Sequence, residues 1–402
     1  MNAFLATRGI GEIFVDIFHQ SGIANCQWEN FVMLAIACVL VYLAIVKQFE
    51  PLLLLPIAFG MFLINIPGAS DILFFTGYDP TQGHQPLPEG EDGGLFYFLY
   101  KGVDLVIYPP LIFLGIGAMT DFGPLIANPK SLLMGAGAQL GVFVAFFGAL
   151  LIGFPEAVAA AIGIIGGADG PTAIYVATKL TSGGPKDYVS IIAVAAYSYM
   201  ALIPVIQPPI MKLLTTKKER AIRMEQLRPV SKIEKIIFPL AVTGIIGILL
   251  PSAIPLLGML MLGNLFKESG VVERLTKTAT NELINIVTIL LGVTVGSKAL
   301  GSMFLAWDTL EVIAIGLVAF AFGTIGGLLT AKVINVFSKK KINPLIGAAG
   351  VSAVPMAARV AQKVGQEVDP ENYLLMHAMG PNVAGVIGSS IAAGVLLAMF
   401  GV

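Results

Sequence analysis

Long apolar stretches recur along this chain, at residues 31–46, 52–66, 96–118, 132–154, 188–206, 236–250, 252–266, 283–295, 312–329 and 383–400. A helix that crosses a hydrocarbon core needs about 20 largely apolar residues, and in lipid each backbone polar group must be satisfied within the segment. The pattern therefore predicts an all-α integral membrane protein with about ten transmembrane helices. Composition agrees, with 56% hydrophobic and 12% charged residues in 402, whereas an ordinary soluble chain is about 25% charged. The 45 Gly and 24 Pro are too many for straight helices, so some segments must be broken or re-entrant.

Charge orients the chain. Lys+Arg (24) nearly balances Asp+Glu (25), so there is no basic field for nucleic acid. Residues 212–235 carry eight Lys/Arg against three Glu, and Lys339, Lys340 and Lys341 form a second basic turn. The positive-inside rule places both in the cytoplasm. Residues 82–94 hold no Lys or Arg and fit the outer face. Phe4, Ile10, Ile13, Phe14, Ile17 and Phe18 fall at helical spacing, which suggests an interfacial amphipathic helix. Glu12 and Asp16 interrupt that stretch, unlike the apolar core of a cleaved signal peptide. The expected organisation is an amphipathic segment (1–30), a first transmembrane repeat (31–211), a basic linker (212–235) and a second repeat (236–402).

The repeat rests on small-residue echoes. Asn128-Pro129 followed by Gly135-Ala136-Gly137-Ala138 is answered by Asn343-Pro344 followed by Gly347-Ala348-Ala349-Gly350. Gly135 lies 34 residues before Asp169, and Gly347 lies 35 before Asn382. This pairs the Gly/Pro-broken segment at Gly167-Ala168-Asp169-Gly170-Pro171 with Met379-Gly380-Pro381-Asn382. Paired interruptions are the signature of inverted-repeat transporters, whose sites lie at the repeat interface near the bilayer midplane.

Asp169 is the first functional candidate. A carboxylate at membrane depth costs about 2.5–3.5 kcal/mol on insertion scales, so it needs protein, water, a cation or a proton beside it. Flanking glycines and Pro171 should unwind the helix and turn carbonyls inward, which with one carboxylate makes a hard-oxygen Na⁺ site. Helix capping is the plainer role. Asn343, Gly347, Ser352 and Asn382 add neutral oxygens suited to a weakly held monovalent ion, or to interhelical hydrogen bonding. Tyr197 or Tyr199 could bring a hydroxyl to Asp169 as a proton relay, or sit in an aromatic belt. Arg359 could bind a carboxylate, act as a moving countercharge, or snorkel to the interface. Asp121, Lys298 and Asp308 stand near span ends as boundary residues, and Lys101 and Asp104 have the spacing of a helical ion pair. Scattered His19, His84 and His377 give no catalytic metal set, and there is no Gly-x-x-x-x-Gly-Lys-Ser/Thr loop for ATP.

At these residues the chain resembles the β subunit of the sodium-pumping biotin-dependent decarboxylases, acting on oxaloacetate, methylmalonyl-CoA or glutaconyl-CoA. The resemblance runs over nearly the whole length. It is most specific at residues 166–172, at Ala195-Ala196-Tyr197-Ser198-Tyr199-Met200, at Gly263-Asn264-Leu265-Phe266-Lys267-Glu268-Ser269-Gly270, at 343–359 and at His377-Ala378-Met379-Gly380-Pro381-Asn382. The resemblance implies a subunit of the bacterial cytoplasmic (inner) membrane with an elevator-like core and a scaffold. It would release CO₂ from carboxybiotin while Na⁺ moves outward and a proton is consumed. The implied partners are a biotin-carrying, carboxyltransferase α-type subunit and a small single-span γ-type subunit, in a trimeric assembly. Asp169 would bind Na⁺ and join the proton chemistry, Tyr199 would support that step, and Asn343, Gly347, Ser352 and Asn382 would shape the ion sites. Arg359, with Ser352, would serve carboxybiotin or the conformational change. A secondary Na⁺/carboxylate transporter satisfies the same composition and broken helices.

Overall fold

The apolar runs form helices because apolar side chains and self-satisfied backbone are what a hydrocarbon solvent permits. The computed structural model describes residues 18, 21–22, 24, 26–48, 50–75, 77–78, 85–90, 92–181, 184, 186 and 188–402. The expected amphipathic helix at 4–18 falls almost wholly outside them, as do His19 and His84. Among the described residues there is no strand.

The principal helices are α1 (Trp28–Ile45), α2 (Pro51–Ile64), α3 (Leu95–Asp104), α4 (Tyr108–Met119), α5 (Ser131–Ala138), α6 (Leu140–Ile152), α7 (Glu156–Gly163) and α8 (Gly170–Thr181). They continue as α9 (Tyr188–Leu214), α10 (Lys232–Leu249), α11 (Ile254–Ser269), α12 (Glu273–Thr278), α13 (Ile284–Gly296), α14 (Trp307–Phe337), α15 (Met356–Gln366) and α16 (Leu375–Met399). Every apolar run expected from the sequence is helical. By length and apolarity, however, only five helices among the described residues are long enough to cross a membrane, or seven if each bent pair is one span. The expected number of about ten is therefore not reached on this criterion. One bent pair joins α3 to α4 at 68°, and α9 bends by 61° between Tyr188–Met200 and Leu202–Leu214. Pro204 in α9 removes one ladder donor at that bend, and Pro109 near the start of α4 needs none.

Contacts sort the helices into two bundles. The scaffold packs α1, α2, α4, α10, α11 and α13 together, and the core packs α5 to α9 with α14, α15 and α16. Each bundle takes helices from both sides of the basic linker, so the two halves of the sequence interleave and are not separate bodies.

The linker is fastened at both ends. Asn343 and Asn372 each donate to the carbonyls of Arg220 and Ile222, at 2.8–3.2 Å. Arg223 pairs with Asp369 at 2.6 Å and Glu371 at 3.0 Å, and its hydrogen bonds hold the Asp369 carboxyl below its ordinary pKa. These anchors belong to the core. Toward the scaffold, Arg228 pairs with Glu234 of α10 at 2.8 Å, and Lys235 of α10 pairs with Asp121 at 3.3 Å and with Glu268 of α11 at 3.5 Å. Of the other boundary residues, Asp308 pairs with Lys186, Lys101 with Asp104 at 3.7 Å, and the Lys298 ammonium lies 4.2 Å from the Tyr100 ring centre.

Candidate functional site

The helix of α7 tightens into a 3₁₀ turn at Ile164–Gly167 and then breaks. Ala168 takes the left-handed conformation, φ +55°, which costs a non-glycine residue about 1–2 kcal/mol. The strain is tolerated where the surroundings fix the backbone, and such positions cluster at functional sites. Asp169 comes next and opens α8.

Both oxygens of Asp169 are engaged. Oδ1 accepts the Thr172 backbone N–H at 3.2 Å, which is the capping role, and Oδ2 accepts the Ser389 hydroxyl of α16 at 2.6 Å. Capping alone requires neither burial nor a second partner. Asp169 is only 4% exposed, and among the described residues no Lys, Arg or His lies within ion-pair distance of it. A buried carboxylate without countercharge must take up a proton or a cation, because burying it ionised and unpaired is prohibitively costly.

The first break meets a second. After the short helix Leu345–Ala348 the chain runs irregularly to α15, and the Ser352 N–H donates to the Gly167 carbonyl at 3.0 Å. Asn382 braces this second break from α16, its Nδ2 donating to the carbonyls of Ala349, Val351 and Ala353 at 2.9, 2.8 and 3.3 Å. The sequence echo pairs the Asp169 break with residues 379–382. In the structure those residues lie in α16, which continues through Pro381, and the broken segment that meets the Asp169 break is the one Asn382 clamps. Asn382 and Ser389 are seven residues apart on one helix, two turns, so one face of α16 serves both breaks.

Several buried oxygens near these breaks have no partner among the described residues: Thr172 Oγ1, Ser352 Oγ, Asn382 Oδ1 and Gln139 Oε1. Gln139 belongs here by packing, since a Cβ on Gly167 would lie 3.5 Å from its Oε1, while its Nε2 donates to the Gly385 carbonyl at 3.3 Å. Unsatisfied buried polar atoms are rare in native folds. A set of hard oxygen donors around one carboxylate matches the ligand chemistry of Na⁺.

Other expected site residues lie differently. Tyr197, not Tyr199, packs against Gly170 beside Asp169, with its buried hydroxyl unpartnered among the described residues. The Tyr199 hydroxyl donates to the Ile313 carbonyl of α14. Asn343 is committed to the linker, with Oδ1 taking the Leu345 N–H at 3.1 Å. Gly347 is a point of close backbone approach to Gly327. Gln139 and Ser389 were missed; the only signal is a lone amide in an apolar run for Gln139 and a Ser389-Ser390 pair in another for Ser389.

Arg359 lines a cavity of about 430 Å³ between core and scaffold. Its walls include Pro171, two residues past Asp169, and Met119, two before the linker-bound Asp121. The cavity thus lies between the basic end of the bundle and the first break. Arg359 is exposed and in no ion pair among the described residues, which leaves its guanidinium available to an incoming anion. Glu50 lines the same cavity; burial pushes its carboxyl up from the ordinary value, while the charge on Arg359 pulls it down.

Comparison with known proteins agrees with this architecture. The profile of the family described as Na⁺-transporting oxaloacetate decarboxylase beta subunit matches residues 29–400. The methylmalonyl-CoA decarboxylase subunit beta of Propionigenium modestum is 57% identical, over 97% of this chain and 100% of its own. The glutaconyl-CoA decarboxylase subunit beta of Acidaminococcus fermentans is 55% identical, over 96% and 97%. The oxaloacetate decarboxylase beta chain of Klebsiella pneumoniae is 53% identical, over 94% and 96%. With apolar helices of spanning length, a buried carboxylate at the meeting of two breaks and full-length similarity to these proteins, the chain is a multi-pass membrane protein that belongs to the Na⁺-transporting decarboxylase beta-subunit family.

Proposed function

We propose that this chain releases CO₂ from carboxybiotin presented by a partner subunit and couples that release to outward movement of Na⁺ across the cytoplasmic membrane of a bacterium. The observation that carries the proposal is Asp169, buried without countercharge at the junction of two broken segments and near unpartnered oxygens. Na⁺ is the cargo. Asp169, Ser352 and Asn382 remain candidate ligands, joined by Gln139 and Thr172; Asn343 and Gly347 support the second break from behind. Loss of CO₂ leaves negative charge on the ureido group, which is neutralised by a proton.

The chain's own residues divide the work. Arg359 holds the incoming carboxylate in the cavity, with Ser352 nearby on the second break. Asp169 holds either a proton or Na⁺, and the arrival of the cation favours the ionised carboxylate, expelling the proton. Tyr197 stands where a hydroxyl can pass that proton toward Pro171 and the cavity. Tyr197→Phe is expected to slow turnover by about 10²-fold, whereas Tyr199→Phe costs less than about tenfold. Steady-state decarboxylation by the two purified variants checks this; equal losses would remove Tyr197 from the proton route.

The partners are implied by the chemistry and the resemblance. An α-type subunit carries biotin and performs carboxyl transfer, a small γ-type membrane subunit completes the complex, and the assembly is a trimer. The test is reconstitution in sealed vesicles with the α-type and γ-type subunits. Accumulation of ²²Na⁺ should require a carboxylated carrier. Uptake driven by a free dicarboxylate, without the carrier, would identify a secondary transporter instead.

A further inference from the structure

Resting on the carboxybiotin reading of the cavity, we propose that Asn285, on the scaffold wall, is a catalytic residue that grips the ureido ring opposite Arg359. The sequence gives α13 the apolar face of a span, yet Asn285 sits at its second position and lines the cavity, as Arg359 does from the core. Its amide is exposed and makes no hydrogen bond among the described residues. An exposed amide that the protein leaves unpaired keeps both its donor and its acceptor free for whatever enters the cavity.

The local backbone presents it. Between α12 and α13 a π-helical segment, Ala279–Leu283, inserts an extra residue, which rotates the downstream part of the helix by about 100° relative to an uninterrupted α-helix. Thr280, Asn285 and Thr288 then line one cavity whose remaining wall is largely apolar, Ile112, Ile116 and Met119 among it. An apolar enclosure with few polar groups is the usual form of a small-molecule site.

The chemical match is specific. A biotin ring carboxylated on one nitrogen keeps, on its other side, an N–H and the ring carbonyl pointing the same way. A primary amide presents one acceptor and one donor side by side. Asn285 Oδ1 accepts that N–H, and Nδ2 donates to the ring oxygen. As the C–N bond to the carboxyl group breaks, its electron pair passes to the ureido nitrogen and oxygen and CO₂ departs. The Nδ2 donor meets the charge as it forms, and the nitrogen then takes a proton.

Asn285→Ala should lower kcat/KM for the carboxylated carrier by about a hundredfold, as loss of a donor to a developing oxyanion does. The Na⁺ concentration for half-maximal activity should stay the same. Wild type should prefer free biotin to 2-thiobiotin as a competitive inhibitor, because the neutral thio analogue replaces the ring oxygen with a poorer acceptor, and the variant should lose that preference. Asn285→Leu, close to isosteric, gives the same readings if the alanine variant folds poorly. Unchanged kcat/KM with intact discrimination overturns the role of Asn285 while leaving the proposed function standing. Absence of carboxybiotin turnover in the wild-type complex would overturn the function itself.

Discussion

Asp169→Asn should abolish Na⁺-dependent decarboxylation in membranes holding the complete complex, with protein level and thermal midpoint close to wild type. The side chain keeps its size, its oxygen can still accept the Thr172 N–H, and its amide nitrogen can donate to the Ser389 oxygen while that hydroxyl turns to the Val386 carbonyl, so the fold loses little. What disappears, on the proposed function, is the negative charge that would attract the cation and the group that would carry the proton. Proton-transfer groups alone contribute about 10²–10⁴-fold, and loss of the cation site adds to this, so residual turnover should be below detection. The assay is CO₂ release from the carboxylated carrier across a Na⁺ titration. Turnover that remains Na⁺-stimulated in the variant would falsify the assignment of Asp169 to both tasks.

Gly166→Val should prevent the protein from reaching a stable, monodisperse state in detergent. Gly166 rests on the backbone of Gly141 in α6, and an added Cβ would fall inside the carbonyl of Gly141, 2.6 Å from the Val142 nitrogen. Neither atom belongs to a side chain that can swing aside. Accommodation would require moving the tip of the break away from α6 and α14, at a cost of about 3 kcal/mol or more, at or beyond the upper end of the usual range for overpacking a core. Gly244→Ala in α10 is the control, since nothing lies within 4 Å of its added Cβ. Size-exclusion profile and thermal midpoint in the same detergent decide the matter; equal behaviour of the two variants would show that the tip is loosely held.

Much of this was legible because lipid imposes strong rules. Uninterrupted apolar runs became helices, and Gly167-Ala168-Asp169-Gly170-Pro171 declared a break because no spanning helix tolerates that string without unwinding. The partner break was harder. Pro381 made 379–382 look interrupted, yet the structure carries α16 through it, and the irregular segment is 349–355, where Gly and Ser leave little periodicity to read. Gln139 and Ser389 escaped notice because one amide or hydroxyl in an apolar helix is as often interhelical glue as a ligand. Tyr197 and Tyr199 lie two residues apart, roughly 200° around a helix, so only the three-dimensional packing could say which one meets Asp169.

The double fastening of the linker sets a limit on travel. Arg223 is tied to one bundle and Arg228, through Glu234 of α10, to the other, and five residues of chain can reach at most about 16–18 Å when taut. Sliding of one bundle past the other draws on whatever slack this leash has left. A longer stroke must first unfasten an anchor, so the ion pairs of Arg223 act as a brake whose grip weakens as salt screens them.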